Sequence, residues 1–261
     1  MHLFDAHSHI ASWHSVPEAE RNLLLNMDRH GIDATLVSNA DCTSFADEST
    51  PYAAHKTAAQ GLKEVLDFAA RNPGRIFAAA WVCPHLEPEP PLELASLIKA
   101  NLHVVKALKL HPFCEQIAPD DPRLEPYYEI ARTLGLPILS HTAVDENSKI
   151  THLAAAAKAH PELCFVAAHL ELCSDHRFAI ETIKDVPNVY ADTAWVDLPS
   201  AICAIEALGE NRVMFGTDSP IDGANTLDNP IYRDYFENVA HLDERTYSLL
   251  MRENALRLYK I

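Results

Sequence analysis

Eight short apolar runs, each followed by a stretch with helical spacing, constrain this chain more than any other feature. They read as strands at residues 3–9, Ile32–Ser38, Ile76–Val82, Val104–His111, Leu136–His141, Leu163–His169, Val189–Thr193 and Arg212–Asp218. Helices are expected at Pro17–His30, Pro51–Ala70, 92–101, 124–134, 148–159, 175–184, 199–208, 228–240 and 243–258. Gly31, Gly135 and the Asn72-Pro73-Gly74 turn supply stop signals. Residues 40–50 are polar and aperiodic and read as a loop. Apolar runs set between helices are the pattern of parallel strands buried on both faces. Eight such units in 261 residues fit an α/β fold, the closed (β/α)8 TIM barrel, which typically needs roughly 250. No Gly-x-Gly-x-x-Gly follows a strand, which argues against an open dinucleotide-binding sheet. No linker interrupts the pattern, so residues 1–261 read as one domain with an extra C-terminal helix.

Charge and cysteine usage narrow the setting. Lys and Arg number 21 and Asp and Glu 37, a formal charge of −16. Such a surface disfavours nucleic acid and anionic membrane as partners. A small-molecule substrate is expected, and a homo-oligomer is left open. The six cysteines are widely spaced and form no C-x-x-C pair. They read as small buried hydrophobes of a reducing cytoplasm, not as disulfides or a zinc ribbon. The first ten residues lack a signal pattern, and no apolar run approaches the ~20 residues of a membrane span. A soluble cytoplasmic protein is expected.

The chemistry-bearing residues fall at one end of the strands. Asp5, His7 and His9 alternate along the first strand, so their side chains share a face and both imidazoles reach toward one point. On a helix the two rings would diverge by about 200°. Lys109 and His111 end the fourth strand and share a face with Ala107. His141 ends the fifth, His169 the sixth and Asp218 the eighth. In a β/α barrel these ends converge on one rim, where active sites are built. One strand-end histidine is more often structural than catalytic, but several at the same end of one chain point to a site.

The residues Asp5-Ala6-His7-Ser8-His9, Lys109-Leu110-His111-Pro112, Ser140-His141, Ala168-His169 and Gly216-Thr217-Asp218-Ser219-Pro220 resemble the amidohydrolase superfamily. The likeness is to amidohydrolase family 2, which includes aminocarboxymuconate-semialdehyde decarboxylase and metal-dependent hydrolases. Glu253–Tyr259 is similar to that family's closing helix. The resemblance implies that His7, His9, His141 and Asp218 ligate metal and that Asp218 also shuttles protons. It implies that His169 binds a second metal or touches substrate. Lys109 is then either a carbamate bridging two ions or a free amine binding a substrate anion, because an ammonium repels a cation. His111 is a substrate contact or packs under Pro112.

One or two divalent ions are expected, zinc above manganese on ligand type. Water on such an ion would ionise near pH 7, with Asp218 as base and then acid, and with the carbonyl polarised by metal or by protonated His169. The expected activity is hydrolysis of a small amide, lactone or ester. A nonoxidative decarboxylase is the alternative, ranked second because related decarboxylases are longer. A non-catalytic metal-binding barrel is a third. Asp5 is expected to accept a hydrogen bond within the barrel. Asp192, Thr193, Trp195, Trp13, His14 and Phe113 are expected to shape the pocket wall, with Trp195 contacting substrate. Loops after the strands are short, so the pocket should be open and sized for a small molecule. The Glu87-Pro88-Glu89-Pro90-Pro91 run reads as a stiff loop.

Overall fold

The structure is a computed structural model and describes residues 3–12, 15–43, 56–237 and 242–261. Its strands are β1 (Leu3–Ile10), β2 (Ile32–Asn39), β3 (Ile76–Trp81), β4 (Val105–Leu110), β5 (Ile138–Ala143), β6 (Phe165–Leu172), β7 (Val189–Asp192) and β8 (Val213–Met214). All neighbours pair in parallel, in the order β1 to β8. Between them run α1 (Val16–His30), α2 (Ala58–Arg71), α3 (Leu92–Ala100), α4 (Pro112–Glu115), α5 (Glu125–Leu134), α6 (Ile150–Ala159), α7 (Arg177–Ile183) and α8 (Leu198–Leu208). Then follow α9 (Pro230–Glu237), α10 (Glu244–Ser248) and α11 (Asn254–Tyr259). This is the (β/α)8 barrel that the alternation predicts.

Closure departs from the expected eighth strand. Only Val213 and Met214 are regular; residues 215–219 instead run irregularly along β1. Ala6 N donates to Phe215 O at 2.8 Å, Asp218 N to His7 O at 2.8 Å, and His9 N to Ser219 O at 2.8 Å. The barrel therefore closes through the same residues that carry the first and last site motifs.

Three sequence expectations are corrected. The expected helix start at Pro51 lies outside the described residues; Lys56 and Thr57 are not helical, and α2 starts at Ala58. Thr57 and Gln60 form a capping box that sets this start. The expected helix 243–258 is broken by a π turn at Leu249–Glu253. A π turn leaves a carbonyl outside the usual ladder, and Leu250 O accepts from Phe215 N at 2.8 Å. Cys42, Cys83 and Cys114 are buried, but Cys164 is half-buried and Cys173 and Cys203 are exposed; all six are free thiols. No helix among the described residues is long and apolar enough to cross a membrane.

The barrel interior carries a layer of Phe4, Ala6, Ala34, Leu36, Ala79, Ala107, Leu139, Val166, Ala168 and Met214. The last helix seals the layer from below with Ala255, Leu258 and Tyr259. Asn254 ties that helix to β8, its amide donating to Val213 O at 2.8 Å and Glu210 O at 2.7 Å. Replacing it leaves the buried Val213 carbonyl without a donor, an unmade bond costing about 1–3 kcal/mol, and frees the half-buried Glu210 carbonyl to water. Asn254→Ala is expected to lower stability by about 2 kcal/mol in urea unfolding followed by circular dichroism.

Candidate active site

Side chains alternate along a strand, so residues two positions above the small interior layer also face inward. That places Ser38 above Leu36, Trp81 above Ala79, Lys109 above Ala107 and His141 above Leu139. On β1 and β6 the parity changes. Phe4 and Ala6 are interior, and a register shift between Asp5 and Ser8 brings His7 inward next. Asp5 leaves the imidazoles and accepts from His7 N at 3.0 Å, Thr217 N at 3.1 Å and Thr217 Oγ1 at 2.6 Å. This is the internal acceptor role expected for it. On β6, Val166 and Ala168 are interior, and His169, Leu170 and Glu171 take φ of 70°, 46° and 69°. That left-handed run turns His169 toward the others. Bulges and left-handed residues of this kind re-aim side chains beside sites.

The result is a tight cluster. His7 Nε2 and His9 Nε2 stand 3.2 Å apart. Asp218 Oδ1 lies 2.8 Å from His9 Nε2 and 3.4 Å from His7 Nε2. Ligating atoms of His7, His169 and Asp218 all lie within 4.8 Å of one another. Atoms sharing one ion at about 2.1 Å are separated by about 3.0–3.4 Å, so the first three atoms match the edges of a coordination shell. His141 lies next to this group rather than in it. Its ring stacks on His111 at 4.1 Å and meets His169 edge-on at 4.8 Å.

Outer hydrogen bonds hold the rings. His7 Nδ1 donates to Asp192 Oδ2 at 2.9 Å, and His169 Nδ1 donates to Ala194 O at 3.0 Å. Both acceptors lack protons, so each Nε2 presents a lone pair, as a metal-binding imidazole requires. His9 Nδ1 meets Ser38 Oγ at 2.8 Å. Asp192 Oδ1 also accepts from His169 N and Ala194 N, each at 3.1 Å. Gly216 lets these pieces approach: a Cβ there would lie 3.1 Å from His7 Cβ and 3.2 Å from Asp192 Cβ.

Burial dominates the electrostatics. It pushes the imidazoles of His7, His111 and His141 well below their ordinary pKa and His169 to about 4. A neutral His169 with Nδ1–H committed to Ala194 is an acceptor, which corrects the expectation of a protonated ring polarising a carbonyl. Burial also lowers Lys109 to about 8. Its Nζ lies 2.9 Å from His7 Nε2, on the lone pair that a cation would use. Burial alone would raise Asp218, but the His9 hydrogen bond and the adjoining imidazoles hold it well below the carboxylate range.

A cavity of about 350 Å³ opens above the cluster. His9, Lys109, His111, His141, His169 and Asp218 line it beside Trp81, Phe113, Cys114, Val144, Leu172 and Ile221. Asp192, Thr193 and Trp195, expected on its wall, stand behind the site instead. Trp195 Nε1 donates to Asp218 Oδ2 at 2.9 Å, so its polar atom orients the carboxylate and does not meet substrate. Trp13 and His14 lie outside the described residues. Ser38 and Trp81 were not singled out from sequence. A strand serine and an apolar strand-end ring carry no motif, and only the inward parity marks them.

A family model described as amidohydrolase matches residues 4–261. The chain belongs to the amidohydrolase family. Its fold is similar to the 5-carboxyvanillate decarboxylase of Novosphingobium aromaticivorans complexed with manganese, at TM-score 0.72 and 14% identity over 99% of this chain and 96% of that one. The 2,6-dihydroxybenzoate decarboxylase of Rhizobium aligns at 0.67 and 15%, over 100% and 99%. The 4-oxalomesaconate hydratase of Rhodopseudomonas palustris aligns at 0.69 and 18%, over 99% and 95%. No protein of curated function matches this chain by sequence.

The left-handed run at His169 depends on Thr142. Its hydroxyl donates to Ala168 O at 2.5 Å and accepts from Glu171 N at 2.8 Å, bridging the ends of the turn. Thr142→Val is expected to destabilise the protein by about 1–3 kcal/mol, and Thr142→Ser to restore most of it, in guanidinium unfolding.

Proposed function

We propose that this member of the amidohydrolase family is a metal-dependent hydrolase of a small amide, lactone or ester. The observation that carries the reading is the convergence of His7 Nε2, His9 Nε2 and Asp218 Oδ1 within 2.8–3.4 Å at the floor of the cavity. In this reading those three residues hold one divalent ion, zinc or manganese. When bound, the ion supplies Lewis acidity that polarises a carbonyl oxygen and acidifies water.

The chain's own groups do the rest. Asp218, oriented through Oδ2 by Trp195 and kept ionised, offers Oδ1 to a proton from the attacking water and returns it to the leaving group. His169 offers a second acceptor at Nε2. His141, outside the tight cluster, would face substrate or complete the set of residues that hold the ion. With an ion held at His7 Nε2, the Lys109 amine would turn away from that atom and would either take up carbon dioxide as a carbamate or face substrate.

Decarboxylation of a small carboxylic acid is the second reading. Lys109 is the one Lys or Arg that lines the cavity among the described residues, with largely apolar walls around it. An amine in such a pocket suits one carboxylate. The alignments span 96–99% of two decarboxylase chains, so length no longer ranks this reading lower.

The full chain, purified without chelator, is expected to contain one divalent ion per molecule by elemental analysis. His7→Ala, His9→Ala or Asp218→Ala each reduces occupancy below a tenth of that value. Screening the loaded protein against lactones, esters and dipeptides, with carbon dioxide release from aromatic acids followed in parallel, separates the two reactions. A carbamate carbon signal after growth in ¹³C-bicarbonate, with two ions per chain, replaces the single-ion site by a bridged one. Absence of bound metal in a folded wild-type protein would falsify both readings.

A further inference from the structure

The outer hydrogen bonds sort the site histidines into two kinds, and His111 is the opposite of His7 and His169. The His111 ring is the N-cap of α4, where Nδ1 accepts from Cys114 N at 3.4 Å. A nitrogen that accepts from a backbone N–H carries no proton, so the ring's single proton sits on Nε2. His111 thus turns an N–H, not a lone pair, toward its surroundings in the cavity wall. An N–H cannot ligate a cation.

Trp81 lies flat against this ring, with centroids 5.2 Å apart and planes 16° apart. It is 3% exposed and lines the cavity, and its Nε1–H is buried with no hydrogen-bond partner. A buried indole N–H normally has an acceptor. Lys109, on the strand next to β3, completes the same side of the cavity, its Nζ 6.0 Å from the Trp81 ring centroid. The residues outside the described set contain no Lys or Arg, so no second such cation from them joins this side.

We infer that Trp81 and His111 form a donor pair that binds a carboxylate oxygen of the substrate beside Lys109, next to the lone-pair cluster of His7, His9 and Asp218. The inference rests on the enzymatic reading only for the word substrate; the donor face exists with or without an ion. A single amine and two neutral donors select a monocarboxylate over a dicarboxylate. The stacked rings hold both donors at fixed spacing.

Benzoate, a flat monocarboxylate, is the probe. In the ¹⁵N-labelled full chain, metal-free and metal-loaded, the His111 ring is expected to show a protonated Nε2 and an unprotonated Nδ1. The Trp81 indole resonance, assigned by its loss in Trp81→Phe, is expected to move downfield as benzoate is added. Trp81→Phe keeps the stack and removes the N–H. It is expected to weaken benzoate binding by about tenfold, the size of one lost bond to a charged group, with thermal unfolding unchanged. His111→Asn keeps a capping oxygen for Cys114 N and is expected to weaken benzoate similarly. Protonation of His111 at Nδ1, a Trp81 resonance that saturating benzoate leaves in place, wild-type affinity in Trp81→Phe, or no benzoate binding by the wild type each overturns the inference. Metal titration of the same samples separates the two proposals. If ions bind while the donors stay silent, this inference alone falls; if the donors respond while no ion binds, the enzymatic reading falls alone.

Discussion

Asp192 is the residue on which the geometry of the site depends. One carboxylate oxygen takes the Nδ1–H of His7 from β1, and the other takes the backbone N–H groups of His169 and Ala194. A single buried side chain thereby fixes a ring at the start of the chain against a turn more than 160 residues later. It sets the tautomer of His7, because a carboxylate only accepts. It also holds the left-handed backbone at His169, which would otherwise relax toward an extended strand at lower energy. Burial raises the Asp192 carboxyl, so its ionised form depends on these donors. The clamp and the rings it holds sustain each other.

The same reasoning explains why the barrel closes where it does. Regular pairing ends early on β8, and residues 215–219 follow β1 through individual backbone bonds. A regular ladder would keep strict alternation on both strands. The bulge in β1 is what lets His7 follow Ala6 to the interior while His9 keeps the same face. The irregularity occurs at the seam, where Thr217 satisfies the Asp5 carboxylate with two donors. The fold thus places its least regular hydrogen bonding where the chemistry needs side chains aimed away from simple periodicity.

Much of this was legible in the residues and some was not, for physical reasons. The eight strand–helix units are written in apolar runs and Gly stops, signals that depend on local chemistry alone. His7, His9, Lys109, His141, His169 and Asp218 stand out because their types are rare at strand ends. Alternation puts Asp5 on the wrong face because it assumes an unbroken strand, and a bulge leaves no mark in composition. Sequence alone favours Pro51 as a first helical residue, while the Thr57–Gln60 box that starts α2 is a weaker pattern. Trp195 was assigned to substrate from its position after β7. Its φ of 59° turns the indole toward Asp218, and backbone handedness at a non-glycine residue has no sequence signal. Trp81 went unnoticed because an apolar ring ending an apolar strand looks like core.

The deepest layer of information lies in atoms two bonds from the reacting centre. Five histidines line or underlie one cavity, and neither residue type nor burial tells them apart. Each ring has two nitrogens, and the partner of the outer one decides what the inner one is. Asp192 and Ala194 O, as acceptors, make lone pairs of His7 and His169. Cys114 N, as a donor, makes an N–H of His111. Ser38 both donates and accepts, so His9 is free to change: its Nε2 donates to Asp218 Oδ1, and the hydroxyl would reverse if a cation took the place of that proton. Polarity across the cavity therefore follows from which backbone and side-chain groups reach the rings from outside. A motif search sees the imidazoles and not these partners, which is why the same five letters leave both the metal and the substrate side undivided until the outer hydrogen bonds are known.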